Sequence, residues 1–276
     1  MEKKNVFLKI EYDGTNFYGW QRQPRMRTVQ GELEQVLSVV CNTDIKINGT
    51  SRTDAGVHAL GQQASFEAEF GIPVERIPLA ANNLLAGGKM AGCGDVRIIS
   101  AEVVPEGFHA RFDAKGKQYI YKIRCADEPD IFLKNYRYQM TEHLDVSVMR
   151  EAAKYIVGTH DFKCFQASGG EEKETTVRTV YDLEIIETVT DAVKEMPSGA
   201  ADRRRRIVQD IEIRISGDGF LYNMVRIITG TLVEVGLGKK KPEDIPAVIE
   251  SLDRQNAGHT APPQGLYLAE VYYDRV

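Results

Sequence analysis

Apolar and polar residues alternate over residues 6–12, which predicts a half-buried strand that ends at Asp13 and Gly14. Apolar residues then recur at helical spacing over residues 29–40, behind Thr28 as a suitable N-cap. Further along, the pattern predicts strands at 45–49 and 63–67, a helix at 73–85 and a strand at 96–103. The first part of the chain therefore predicts the element order β-α-β-β-α-β.

The second part of the chain repeats this order without a visible sequence repeat. Its pattern predicts a strand at 119–125, a helix that Asp145 caps and Gly158 ends, strands at 180–189 and 207–215, a helix at 220–235, a second helix from Pro242 and a strand at 266–273. The order is the ferredoxin-like pattern, which a common RNA-binding module also uses. We therefore predict an α+β protein with two ferredoxin-like (RRM-like) halves, residues 1–110 and 111–276, whose antiparallel sheets flank a central active-site cleft.

Composition narrows the class of protein without deciding the partner. No segment approaches the roughly 18 uninterrupted apolar residues of a membrane span, and Lys9 and Glu11 interrupt any leader-like run, so we expect a cytoplasmic protein. The net charge of -5 argues mildly against nucleic acid. Basic residues nevertheless cluster at 22–27, 115–124, 203–206 and 239–241. The four cysteines, Cys41, Cys93, Cys125 and Cys164, form no CxxC pair and are expected to be reduced thiols.

The stretch SRTDAGVH, residues 51–58, is the first candidate for chemistry. Asp54 lies in the connection between two predicted strands, and Arg52 two residues earlier would keep a nearby carboxylate ionised. A carboxylate held anionic in a cleft is a competent covalent nucleophile. The alternative from the residues alone is a turn formed by Asp54 and Gly56.

Two residues of the second part are also candidates for a functional site. Tyr119 lies on a strand where aromatic and basic residues interleave, so its ring could stack on a base or belong to the core. Arg226 lies on a mainly apolar helix with Asn223 and Gly230 at spacings of three and four residues. A buried arginine there needs a carboxylate or phosphate partner, whereas a solvated head over a packed stem needs none.

Seven motifs in order resemble one family. They are EYDGTNFYGWQRQ (11–23), VQGELE (29–34), SRTDAGVHALGQ (51–62), FHARFDAKGKQYIY (108–121), GTHDFKCF (158–165), GFLYNMVRIITGTLVEVG (219–236) and APPQGLYL (261–268). Together they are similar to the tRNA pseudouridine synthase A family over nearly the whole chain. The resemblance implies a homodimeric isomerase that acts without cofactor or metal on uridines 38, 39 and 40 in the anticodon stem-loop of tRNA.

The resemblance also implies roles for individual residues. Asp54 matches the catalytic aspartate, Arg52 the basic residue before it, and Arg226 the arginine that pairs with that aspartate. Tyr119 matches the tyrosine that packs against the target base, and Leu266 the apolar residue of the uracil pocket. We also expect two further arginines to bind substrate, namely Arg22 and Arg111.

Two departures from the family pattern and two alternatives stay open. Ser51 stands where many members have glycine, and its Cβ would be strained if the backbone needed a positive φ. The polar connection over residues 190–206 is longer than is typical, and its arginines either extend the RNA surface or are solvated. The alternatives are a synthase of the same family with other target uridines, and a non-catalytic tRNA-binding or folding protein.

Overall fold

The computed structural model describes residues 3–87, 94–169, 174–193 and 205–274. Within them the protein is mixed α+β, with five α-helices and mostly antiparallel strand pairing, so the predicted class is confirmed. Contacts divide the chain into two compact units, Met1–Gln118 with Tyr267–Val276, and Tyr119–Leu266. No helix of the described residues is long and apolar enough to cross a membrane.

The first unit carries most of the N-terminal elements. They are β1 (Lys3–Tyr12), α1 (Val29–Cys41), β2 (Asn48–Gly49), β3 (His58–Glu69), α2 (Ile77–Leu85) and β4 (Val96–Val104). Strand β1 lies between β4 and β3, β2 pairs with β3, and all three pairings are antiparallel. Helix α1 begins where the Thr28 hydroxyl accepts a hydrogen bond from the Gly31 N–H, and it ends at Asn42 with φ 52°.

The strand predicted at residues 45–49 shortens to β2, and α1 explains why. The Ile45 N–H donates to Ser38 Oγ at 2.9 Å, and the Ile47 N–H donates to Glu34 Oε1 at 3.1 Å. Side chains of α1 thus satisfy backbone donors that a longer strand would offer to its neighbour. Strand β3 is in turn longer than predicted. The prediction was too short because the polar residues Gln62 and Gln63, which are buried in the structure, interrupt the apolar pattern in the sequence.

The remaining elements begin with a strand inside which the division between the units falls. In chain order they are β5 (Ala114–Cys125), β6 (Tyr138–Met140), α3 (Val146–Lys154), β7 (Gly158–Asp161), β8 (Val177–Val193), β9 (Arg205–Gly217), α4 (Met224–Gly236), α5 (Ile245–Glu250) and β10 (Leu266–Tyr273). The second unit has the strand order β5-β9-β8-β7, with β6 parallel to β5. Helix α4 starts at Met224 rather than near residue 220, because Asn223 has a left-handed backbone, φ 60°.

Two further predictions are corrected by the strands. The supposed connection over residues 190–206 is partly strand, since β8 and β9 stay in register up to Val193 opposite Arg205. Residues 194–204, including Arg203 and Arg204, lie outside the described residues. The last strand was predicted with the C-terminal half, but nearly all of it falls in the first unit, where Tyr267 pairs in parallel with His58.

Candidate active site

The loop of residues 50–57, here called the Asp54 loop, connects β2 to β3 within the first unit. Its first residue is tightly anchored, because the Thr50 N–H donates to the Gln63 carbonyl at 2.8 Å and the Thr50 hydroxyl lies 2.7 Å from the Tyr273 hydroxyl. Tyr273 donates in turn to the Ala110 carbonyl at 2.6 Å. Burial raises the pKa of Tyr273 to about 12, so this donor keeps its proton at neutral pH.

Ser51 is held from two directions. The Gln62 side chain donates to the Ser51 carbonyl at 2.7 Å, and Lys117 Nζ donates to Ser51 Oγ at 2.6 Å and lies 3.4 Å from the Thr50 carbonyl. Ser51 is buried and is not among the residues with positive φ, so its Cβ brings none of the strain considered above. Ser51 stands where glycine is common, three residues before Asp54. Its hydroxyl therefore supplies an acceptor for Lys117 at this point of the loop.

The middle of the Asp54 loop lies against the segment that follows β1. The Thr53 hydroxyl is 2.7 Å from the Tyr12 hydroxyl in a buried contact, and the Thr53 carbonyl accepts from the Trp20 N–H at 3.0 Å. Gly19, with φ 84°, approaches so closely that a Cβ would lie 2.5 Å from the Thr53 carbonyl oxygen. The backbone next to Asp54 is thus fixed by buried hydrogen bonds and by a glycine that leaves no space for a side chain.

Asp54 itself is partly accessible on this rigid support. Its neighbours Ser51 and Thr53 are buried, Arg52 is exposed, and Asp54 is intermediate. The Asp54 carbonyl accepts from the Val57 N–H at 3.2 Å, and Gly56 provides the positive φ of 77° that this turn requires. The turn expected as the alternative therefore exists, and Asp54 is partly accessible at its first position.

His58, at the end of the loop, is 2 % exposed. Its Nδ1 accepts from the Gly14 N–H at 3.1 Å, and its ring stacks on Tyr267 at a centroid distance of 4.7 Å. These contacts are internal to the first unit, so His58 holds the turn after β1 against β3.

In the second unit, Arg226 is fixed by its own helix and by the segment before β10. Its Nε donates to the Ala261 carbonyl at 2.7 Å, and Nη1 donates to Asn223 Oδ1 at 2.6 Å. The Ala261 N–H donates back to the Arg226 carbonyl at 3.1 Å. Of the predicted stripe, Gly230 packs against the segment before β10, since a Cβ on it would lie 1.8 Å from the His259 carbonyl oxygen, and Asn223, the residue before α4, accepts from Arg226.

Three predicted or neighbouring residues complete this part of the second unit. Tyr119 is 8 % exposed and meets Phe220 edge-on at a centroid distance of 5.3 Å, and Leu266 is 7 % exposed. The Tyr121 hydroxyl donates to the Pro262 carbonyl at 2.7 Å. Burial raises the pKa of Tyr121 well above its ordinary value, while the positive charge of Arg226 acts in the opposite direction.

The two arginines expected to bind substrate are both on the surface of the first unit. Arg22 Nη1 lies 3.1 Å from Glu34, whose side chain is buried, so Arg22 also balances a carboxylate of α1. Arg111 is exposed, and its guanidinium lies 5.9 Å from the centre of the Phe112 ring, which is 75 % exposed.

Lys117, which contacts Ser51 of the Asp54 loop, was not predicted as a site residue from the sequence. It stood in a basic cluster together with Lys115 and Lys122, and nothing in that pattern separates a lysine that meets a loop from one that meets solvent. The alternation of β5 was the available signal, since it places Lys115 and Lys117 on one face of the strand. Within the described parts of the chain, no group of three or more His, Cys, Asp or Glu side chains is arranged to hold a metal ion.

Comparison with known proteins identifies the class. A family model described as tRNA pseudouridine synthase matches residues 9–113 and 152–274. The chain is 44% identical over 273 residues to tRNA pseudouridine synthase A 2 of Clostridium tetani, covering 98% of this chain and 99% of the relative. It is 44% identical over 270 residues to tRNA pseudouridine synthase A of Acetivibrio thermocellus, covering 98% and 100%. The corresponding protein of Bacillus subtilis is 43% identical over 267 residues, covering 96% and 97%.

The chain belongs to the tRNA pseudouridine synthase family, and the family predicted from the seven motifs is confirmed. The predicted activity class, an isomerase that converts uridine in tRNA to pseudouridine, is the activity by which this family is named.

Proposed function

We propose that this protein isomerises uridine to pseudouridine at positions 38, 39 and 40 in the anticodon stem-loop of tRNA. The observation that carries the proposal is the Asp54 loop, in which a partly accessible Asp54 lies on a loop held by contacts to Tyr12, Trp20 and Lys117. Binding alone needs no carboxylate among RNA phosphates, so this loop favours catalysis over a non-catalytic tRNA-binding protein.

The reaction is balanced without an external reagent. The N1–C1′ bond breaks, the uracil turns, a C5–C1′ bond forms, C5 loses its proton and N1 gains one. Asp54 acts in this scheme either on the ribose or on the base, and both routes begin with a uridine out of the stack. The cost of unstacking is about a few kcal/mol, which contacts to the rest of the tRNA must offset.

The other residues receive roles that match their chemistry. Tyr119 holds the flipped base, Leu266 contributes apolar surface for the uracil, and Arg52 fills the space that the base leaves. Arg226 keeps the catalytic carboxylate charged, as the family resemblance implies, while Arg22 and Arg111 bind phosphate. The hydrogen bonds from Arg226 to Ala261 and Asn223 support this assignment, because they fix the guanidinium before substrate arrives.

Three further features rest on the resemblance. We propose that each half has a ferredoxin-like fold, and the antiparallel pairings of β4 with β1, β1 with β3 and β3 with β2 in the first unit support this. We also propose a homodimer, which the mass of the protein in solution will check. A tRNA substrate implies work in the cytoplasm.

The test is pseudouridine formation on a tRNA transcript by wild-type protein and the Asp54→Asn variant. We expect turnover to fall below detection in the variant while tRNA affinity stays within about threefold, since replacing one carboxylate oxygen by an amide nitrogen removes the charge but keeps the shape of the side chain. Asp44→Asn, a change at an exposed aspartate outside the loop, is the matched control and should retain full activity. Retained turnover in Asp54→Asn refutes the catalytic assignment. Modification of the tRNA by the wild-type protein outside positions 38–40 refutes the target assignment.

A further inference from the structure

The loop before α1 contains three arginines, which differ in whether they have an ion-pair partner among the described residues. Arg22 lies on Glu34, as described above. Arg27 Nε donates to Glu32 Oε2 at 2.9 Å, its Nη1 pairs with Asp95, and its guanidinium lies 4.2 Å from the centre of the Phe17 ring. Both arginines therefore have partners of their own chain that use their charge.

Arg25 differs from both. It is exposed and makes no hydrogen bond or ion pair with any of the residues that the structure describes. Its charge is therefore not used to stabilise the fold, unlike that of its two neighbours.

The backbone of Arg25 adds a second observation. The Met26 N–H donates to the Gln23 carbonyl at 3.4 Å, so residues 23–26 form a β-turn with Pro24 at its second position and Arg25 at its third. Arg25 has φ 62°, which a type II turn requires at this position and which favours glycine or asparagine there. A Cβ at this φ is disfavoured in an L-residue.

An arginine in a strained conformation with no internal partner is available to an external one. The exposed side chains near it fit RNA, since Tyr18, joined to the loop by a 2.9 Å hydrogen bond from its N–H to the Arg27 carbonyl, is 56% exposed and Met26 is 46% exposed. We propose that the turn of residues 23–26 is a tRNA-docking element in which Arg25 contacts a backbone phosphate. This inference rests on the proposed function and adds a phosphate contact at Arg25 to the one proposed for Arg22.

The experiment measures tRNA affinity as a function of salt for wild type, Arg25→Gln, Arg25→Lys and Arg25→Gly. A lost phosphate contact reduces the slope of log K against log salt by about 1. We expect that reduction, with weaker binding at low salt, in Arg25→Gln and Arg25→Gly but not in Arg25→Lys. Lys46→Gln, which removes an exposed positive charge paired with Asp44, is the charge-matched control and should keep the wild-type slope.

Arg25→Gly separates docking from folding, because glycine relieves the positive φ. We expect an unchanged or higher melting temperature together with weaker tRNA binding, and an unchanged kcat at saturating tRNA. A wild-type salt slope in Arg25→Gln overturns the inference, as does an equal loss of slope in Lys46→Gln. If instead wild-type protein forms no pseudouridine in tRNA, the proposed function fails, which is a different result from an inert Arg25.

Discussion

Replacing Gly19 by alanine tests whether the segment after β1 positions Asp54. At φ 84° an alanine costs about 1–2 kcal/mol of conformational energy. Its Cβ would also lie 2.5 Å from the Thr53 carbonyl oxygen, 3.2 Å from the Asp54 carbonyl carbon and 3.3 Å from the Ala55 nitrogen. All three are backbone atoms of the Asp54 loop, so the loop itself must move by roughly 1 Å to restore an ordinary contact of about 3.5 Å.

A shift of this size has separate consequences for stability and for rate. Overpacking adds about 1–3 kcal/mol to the conformational cost, so we expect the free energy of unfolding to fall by about 2–5 kcal/mol. A misplacement of about 1 Å costs on the order of 100-fold in rate, so kcat should fall by about that factor. Affinity for tRNA should change much less, because the arginines that we propose to bind phosphate, Arg22, Arg25 and Arg111, lie outside this loop.

The control is Gly107→Ala, since Gly107 has φ 83° and no atom within 4 Å of a built Cβ. It carries the same conformational cost without the collision, so it should lose about 1–2 kcal/mol of stability and no kcat. Single-turnover pseudouridine formation at saturating enzyme measures the rate, and denaturant unfolding measures the stability. A kcat of Gly19→Ala within about twofold of that of Gly107→Ala would show that the segment after β1 does not position Asp54.

Two other predictions concern a hydrogen bond and a charge cluster. Removing the Lys117–Ser51 hydrogen bond by Lys117→Met or Ser51→Ala should lower kcat but not tRNA affinity. A double-mutant cycle on kcat should show coupling between the two substitutions. Additive effects would mean that the hydrogen bond does not position the loop. Burial alone would raise the pKa of Asp210, but hydrogen bonds from Arg124 and charges of Arg124 and Arg137 hold it below its ordinary value. Its stabilisation is therefore present above about pH 4 and lost as pH falls through the lowered pKa, so the melting-temperature deficit of Asp210→Asn should shrink in acid; a constant deficit would contradict this.

Most elements of the fold are predictable from the local pattern, because the residues that form each apolar face recur at short, regular spacing along the chain. The alternation of β1 and β9 and the helical spacing of α1 follow from burial of one face. The misplaced boundaries have causes that are remote in sequence. Strand β2 shortens because Glu34 and Ser38 of α1 take its N–H groups, and β3 extends through buried glutamines that a hydropathy pattern reads as surface.

The candidate site divides in the same way. The family and the candidates Asp54, Arg52, Tyr119 and Arg226 follow from the motifs, because motif residues are local and chemically specific. Lys117 is distinguished from the other lysines of its cluster by folding alone, because it reaches Ser51 across 66 positions of chain. Likewise, the sequence does not distinguish Arg22, Arg25 and Arg27. In the structure Arg22 and Arg27 form ion pairs within the chain and Arg25 forms none with the described residues, since partners are set by distance in space and not by distance along the chain.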